Sequence, residues 1–156
     1  MLENKATFAA GCFWGVEASF NKMPGVVDTV VGYSGGMVNN PTYHMVCSDK
    51  TGHAEAVQII YDPDKITYKD LVKAFFDLHD PTTPNRQGPD VGSQYRSVIF
   101  YHDQEQQQIA EQVKSELDQS GRYRYPIVTQ IVPSQDFYIA EDDHQRYYAR
   151  RSPWRL

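Results

Sequence analysis

Ala6-Thr7-Phe8-Ala9-Ala10-Gly11 runs straight into Cys12-Phe13-Trp14-Gly15-Val16-Glu17-Ala18-Ser19-Phe20, and Pro24-Gly25 then leads into Val26-Val27-Asp28-Thr29-Val30-Val31. The first run is short, apolar and closed by a glycine, so it reads as a buried strand. Helical character begins near Gly15 and runs to Met23, where Pro24-Gly25 ends it. The β-branched run from Val26 to Val31, closed by Gly32, reads as a second strand. A strand, a helix and a strand in such quick succession make one βαβ unit.

The pattern then repeats. Residues 33–53 hold Gly35-Gly36, Asn39-Asn40-Pro41 and Thr51-Gly52, and read as a long loop of the kind that is usually functional or disordered. Glu55 to Tyr61 is a strand stopped by Asp62-Pro63. Thr67 caps an amphipathic helix whose Tyr68, Leu71, Val72, Phe75 and Phe76 share one face, and Asp80-Pro81 ends it. Residues 80–95 form a second polar loop, and Ser97 to Tyr101 a further strand. Asp103 with Gln106 resembles a capping box, ahead of a helix marked by Ile109, Val113 and Leu117 and closed by Gly121. Val128 to Val132 reads as a last strand, and a short helix is expected around Glu141 to Arg150. Two split βαβ units followed by an extra helix and strand predict an α+β, ferredoxin-like two-layer sandwich with long irregular loops. The 156 residues are expected to make one domain, with a core over about 6–148 and a short irregular C-terminal tail. Loops 33–53 and 80–95 are expected near the start of the first helix.

Composition narrows the function. Forty per cent hydrophobic residues can build a core, and the formal charge of −5, from 15 basic and 20 acidic residues, argues against a nucleic-acid or anionic-membrane partner. Arg146, Arg150, Arg151 and Arg155 read as a solvated helix or tail. No apolar run approaches the ~20 residues that span a bilayer. The opening Met1-Leu2-Glu3-Asn4-Lys5 carries no signal-peptide core, so a cytoplasmic protein is expected, and a monomer. The five histidines (44, 53, 79, 102 and 144) show no paired metal spacing, and two cysteines cannot close a structural zinc site, so no metal is expected. Asp142-Asp143-His144 is explained by helix capping. His53 and His144 are the best candidates for supporting roles.

Cys12 lies between a strand and a helix. Unpaired amides at a helix start favour an anion and should lower its thiol pKa toward neutrality. Phe13 and Trp14 follow it, giving a nucleophile at the rim of an apolar cup. Spacing alone also allows a buried structural cysteine. A wider set of motifs bears on that choice. Gly11-Cys12-Phe13-Trp14-Gly15-Val16-Glu17 resembles the signature of the A-class peptide methionine sulfoxide reductases. The resemblance continues in order through Gly32-Tyr33, Pro41-Thr42-Tyr43, Val46-Cys47-Ser48, Thr51-Gly52-His53-Ala54-Glu55-Ala56-Val57, Tyr61-Asp62-Pro63 and His79-Asp80-Pro81. It extends through Arg86-Gln87-Gly88, Gly92-Ser93-Gln94-Tyr95-Arg96-Ser97 and Ala140-Glu141-Asp142-Asp143-His144-Gln145, covering nearly the whole chain.

The resemblance implies an α+β sandwich that reduces the S epimer of methionine sulfoxide, free or in proteins, and so repairs oxidised proteins. It implies that Cys12 is the nucleophile and that Phe13 and Trp14 hold the S-methyl group. Glu55 would donate a proton to the sulfoxide oxygen, Tyr43 and Tyr95 would offer it hydroxyls, and Asp90 would support them. The chemistry suits these types: a thiolate attacks sulfur well, and a carboxyl kept neutral by burial can protonate the departing oxygen. The sulfenic acid left on Cys12 needs a thiol to reduce it. Many relatives use a cysteine in a glycine-rich tail, but no cysteine follows Cys47 here. An external thiol reductant (thioredoxin, glutaredoxin/glutathione or dithiothreitol) is therefore expected rather than a bound cofactor, with Cys47 as the alternative resolver. Two rival functions are a hydrolase or transferase pairing Cys12 with His53, and a non-catalytic binder of methionine-rich segments.

Overall fold

The computed structural model describes residues 4 to 151. The polar opening residues Met1 to Glu3, Arg155 of the basic stretch, and the expected tail Ser152 to Leu156 lie outside the described residues. The architecture is mixed α+β. A six-stranded sheet runs in the order β7-β6-β1-β3-β2-β8. Its long members are β1 (Asn4–Ala10), β2 (Val26–Ser34), β3 (Ala54–Tyr61) and β6 (Ser97–Tyr101). Short strands β7 (Gln130–Pro133) and β8 (Tyr138–Ile139) extend the two edges. β1 pairs antiparallel with β3 and β6, β2 antiparallel with β3 and β8, and only β7 joins parallel, to β6.

The strand alternation decides which face carries the core. Ala6, Phe8 and Ala10 of β1 join the large cluster with Val57, Ile59 and Ile99. Helices α1 (Phe13–Asn21) and α3 (Tyr68–Asp77) contribute Val16, Phe20, Leu71, Val72, Phe75 and Phe76 to it. Phe8 stacks on Phe20 at 5.3 Å and on Phe75 at 5.1 Å, so truncating this fully buried ring should cost about 3–5 kcal/mol. The other face is lined by the small side chains Ala9, Ala54 and Ala56, with Val98 and Phe100. Loop backbone comes close there: a Cβ on Gly35 would stand 3.1 Å from Phe100, and one on Gly36 2.4 Å from the His53 amide.

Thr67 caps α3 as its sequence predicts, in a full capping box with Asp70. Asp103 caps α4 (Gln104–Gln119) through the Gln106 amide, but Gln106 does not complete the box. Its Oε1 accepts from His102 N and its Nε2 donates to Lys5 O, tying the helix start to β1.

Several expectations need correction. The 33–53 loop contains a short helix, α2 (Tyr43–Cys47), capped by the Thr42 hydroxyl. The 80–95 loop contains the hairpin β4 (Arg86–Gln87) and β5 (Asp90–Val91), then a 3-10 turn over Ser93–Tyr95. The last strand starts later than Val128, because Val128 N donates to Pro81 O instead of to a ladder partner. The helix expected over 141–150 is broken into a 3-10 turn, Asp142–His144, and α5 (Tyr147–Arg151), because Arg146 adopts a φ of 50° between them. No helix of the described residues is long and apolar enough to cross a membrane.

Candidate active site

The sheet register gathers the candidate residues at one end. The end of β1 and the start of β3 are adjacent, and Tyr33 of β2 pairs with Glu55 of β3. Ala10 pairs with Ser97, just beyond the turn that carries Tyr95. Gly11, at a φ of +101°, bends the chain out of β1 against the Gln87 side chain, where a Cβ would stand 2.9 Å away. Asp49 accepts from both the amide and hydroxyl of Ser93, so the two long loops meet each other.

Cys12 occupies the position before α1 with non-helical backbone (φ −57°, ψ 120°), and its carbonyl accepts from Val16 N. Its thiol is half-buried. The expected lowering of its pKa does not occur. Burial dominates and pushes it up to about 11; the Trp14 and Gly15 amides pull it down, as a helix start should, while the Glu55 and Asp90 carboxylates push it up. Desolvation and two nearby negative charges outweigh the helix end. The resting thiol is therefore protonated at neutral pH. Iodoacetamide alkylation of Cys12, followed by peptide mass spectrometry in a Cys47→Ser background, should accelerate continuously above pH 8. Glu55→Gln should shift the profile to lower pH by removing a repelling charge. A plateau below pH 9 would contradict this electrostatic balance.

Glu55 is 1% exposed. Its Oε1 accepts from Phe13 N at 3.1 Å, while Oε2 is buried with no partner among the described residues. Burial raises its pKa to about 7, with the Phe13 amide lowering it and Asp90 raising it. The protonated form is thus well populated below neutrality and is lost as pH rises through that value. The half-buried Tyr95 has its hydroxyl pushed up to about 12 by burial and then by Glu55, Cys47, Asp90 and Cys12, so these groups share one electrostatic neighbourhood. Asp90 leads into the same turn from β5. The Tyr43 hydroxyl is also raised, first by burial and then by the nearby Cys47 thiol and Glu55.

The aromatic cup has more walls than expected. Phe13 is fully buried against Tyr33, with ring centroids 5.7 Å apart. Trp14 Nε1 donates to His144 Nδ1 at 3.0 Å, and its ring stacks on Tyr147 at 3.7 Å. His144 also packs 4.4 Å from Tyr43. Together Trp14, Tyr43, Glu141, His144 and Tyr147 line a cleft of about 350 Å³. Glu141 braces it, accepting from the Tyr33 hydroxyl and from Tyr43 N, each at 3.1 Å. Tyr33, Glu141 and Tyr147 were missed; Tyr33 and Glu141 stand inside quoted motifs, but nothing local shows that they meet.

His53 is not a partner for Cys12. Its Nδ1 accepts from Gly36 N at 3.0 Å, leaving Nε2 to donate to Val38 O at 2.6 Å. Both ring nitrogens are spent on holding the 33–53 loop, which removes the support for a Cys–His hydrolase. Among the described residues, no group of three or more His, Cys, Asp or Glu side chains is arranged to hold a metal ion.

Comparison with known proteins bears on this arrangement. The family model described as peptide methionine sulfoxide reductase matches residues 4–155. A peptide methionine sulfoxide reductase MsrA from Methanoculleus marisnigri is 59% identical over 147 residues, covering 94% of this chain and 90% of that protein. The structure of Mxr1 from Saccharomyces cerevisiae in reduced form superposes with a TM-score of 0.89 at 38% identity, covering 97% of this chain and 87% of that one. Mxr1 in complex with Trx2 superposes with a TM-score of 0.65 at 30% identity, covering 93% and 84%.

Proposed function

Because the chain belongs to the peptide methionine sulfoxide reductase family, we propose that it reduces the S epimer of methionine sulfoxide, in peptides or free, with Cys12 as nucleophile and Glu55 as proton donor. The observation that carries this reading is the Glu55 carboxyl. One oxygen is pinned by the Phe13 amide, the other is buried without a partner, and its pKa stands near 7 beside the Cys12 thiol. A buried oxygen left unpaired is costly unless a ligand completes it. A sulfoxide oxygen would do so by accepting the proton of neutral Glu55.

In this reading the methyl group sits against Phe13 and Trp14, and the Tyr43 and Tyr95 hydroxyls donate to the oxygen as negative charge grows on it. Asp90 keeps the pocket's charge balance. Cys12 sulfur gives up its proton and attacks the sulfoxide sulfur, forming an S–S bond as the oxygen, protonated from Glu55, leaves as water. That water adds to the Cys12 sulfur as the S–S bond breaks, releasing methionine, leaving a sulfenic acid on Cys12 and returning the proton to Glu55. Methionine sulfur gains two electrons and Cys12 loses two. Two external thiols then return Cys12 to the thiol, releasing water and leaving as a disulfide. The solved complex of the yeast relative with Trx2 favours a thioredoxin-type dithiol, and glutathione or dithiothreitol offers the same chemistry. Cys47 is left out of this cycle because it lies exposed at the end of α2, where the groups that act on its thiol are Tyr43 and Glu55 and not Cys12. All named groups lie on one chain, which fits a monomer. We further read the four long strands, ordered β6-β1-β3-β2 and antiparallel throughout, as a ferredoxin-like split βαβ core.

The test is epimer selectivity. Methyl cup, oxygen donors and the approach of the Cys12 sulfur fix the geometry at the sulfoxide, so the R epimer must place its oxygen among the rings or its methyl against the hydroxyls. An unmet polar atom costs about 1–3 kcal/mol, and misalignment of the attack adds to it. With dithiothreitol and quantified methionine, the S epimer should be turned over at least roughly tenfold better in kcat/KM. Equal values would contradict the pocket assignment.

A further inference from the structure

Residues 138–147 form a strap that begins as β8 on the outer side of β2, continues along that edge and delivers His144 and Tyr147 to the cup. Ala140 N donates to Val31 O at 3.0 Å. The Gln145 side chain acts like a strand residue, accepting from Val31 N and donating to Val31 O and Ala140 O, each at 2.9 Å. The last tie comes from Glu17, a carboxylate 1% exposed within α1. Its Oε2 accepts from the Thr29 hydroxyl at 2.8 Å and its Oε1 from the Arg146 backbone amide at 2.7 Å. The proposed reaction uses neither contact.

Position gives the contact its meaning. Glu17 lies three residues after Trp14, so both project from one face of α1. Arg146 and Tyr147 are consecutive on the strap. Two adjacent rungs therefore join helix and strap: Glu17 to the Arg146 amide, and Trp14 to the Tyr147 ring at 3.7 Å. The φ of 50° at Arg146 turns the chain so that its amide faces Glu17 while α5 starts beside Trp14. The Arg146 guanidinium pairs with Asp28 in a half-exposed contact at 2.6 Å, an interaction worth little.

We propose that Glu17 is a positioning residue for sulfoxide reduction: by holding the Arg146 amide it sets the register of the strap against α1, and so seats Tyr147 and His144 around Trp14 to complete the methyl cup. The inference rests on the reading of Trp14 as a wall of the substrate pocket.

The experiment uses the full chain in a Trp154→Phe background, which leaves Trp14 as the only tryptophan of the two. Steady-state kinetics with a sulfoxide peptide and dithiothreitol are paired with acrylamide quenching of Trp14. Glu17→Leu should raise KM about tenfold, change kcat by less than about twofold, and roughly double the quenching constant, as one lost buried hydrogen bond would. Glu17→Gln retains an acceptor for the Arg146 amide and should bring KM back to within about threefold. If Glu17→Leu does not fold, Arg146 carries the test from the surface. Arg146→Val is strained at that φ and should reproduce the KM and quenching changes, whereas Arg146→Gly is at ease there and should not share the defect. Wild-type KM and quenching in both Glu17→Leu and Arg146→Val would overturn the proposal, as would Gln and Leu behaving alike at position 17. Should the unaltered protein reduce no sulfoxide, the functional reading fails while the quenching series still decides the strap.

Discussion

Replacing Cys12 with serine should abolish sulfoxide reduction, by roughly five to six orders of magnitude, the scale seen when a covalent nucleophile is removed. Of the two cysteines, only Cys12 stands at a helix start with Phe13 and Trp14 beside it, and its thiol feels the Glu55 charge. A serine hydroxyl at the same place cannot take the oxygen from sulfur. Cys47→Ser should leave the first turnover intact, since Cys47 lies exposed at the end of α2 and the proposed first half-reaction does not use it. The comparison is made by rapid quench with one equivalent of sulfoxide and methionine quantified. Substantial product from Cys12→Ser would end the nucleophile assignment.

Glu55→Gln should slow reduction by roughly two to four orders of magnitude, the span of general acid contributions. An amide still accepts from Phe13 N, so the local structure survives, but it has no acidic proton for the oxygen. The sign with pH follows from the raised carboxyl pKa near 7. The neutral acid is present below that value and is lost above it, so wild type gains from protonation of Glu55 where the variant cannot. The variant's remaining rate should instead climb toward low pH, as solvent supplies the proton, and the deficit should narrow there. A wild-type rate at neutral pH would remove Glu55 from the acid role.

How much of this was legible depends on how local each signal is. Cys12, Phe13 and Trp14 are consecutive, and Glu55 sits in a strand whose ends are marked by Gly52 and Asp62-Pro63, so their elements could be read directly. The long strands and α3 declare themselves by period and caps. Short elements do not. α2 has five residues, too few for a helical period, and only Thr42 hints at its start. β8 has two residues and exists because the edge of β2 recruits it. The break at Arg146 was hidden because a non-glycine residue takes a left-handed φ there, held by Glu17 more than a hundred positions away in the chain. The thiol pKa went the wrong way for a related reason. The helix start is visible in sequence, but the burial and the Asp90 and Glu55 charges that outweigh it come from three separate segments. The roles of His53 and His144 likewise separated only in three dimensions, the first spent on a loop and the second on Trp14.

The central claim is that the sulfoxide oxygen passes to Cys12 and stays there until an external thiol removes it. Mass spectrometry after one turnover, with substrate in excess, no reductant, and dimedone present, reads that state directly. The account predicts one equivalent of methionine per chain, a dimedone adduct on Cys12 and a free Cys47 thiol. A disulfide between Cys12 and Cys47 in place of the adduct, which requires their Cα atoms to come within about 7 Å, or methionine released without any change at Cys12, would contradict it.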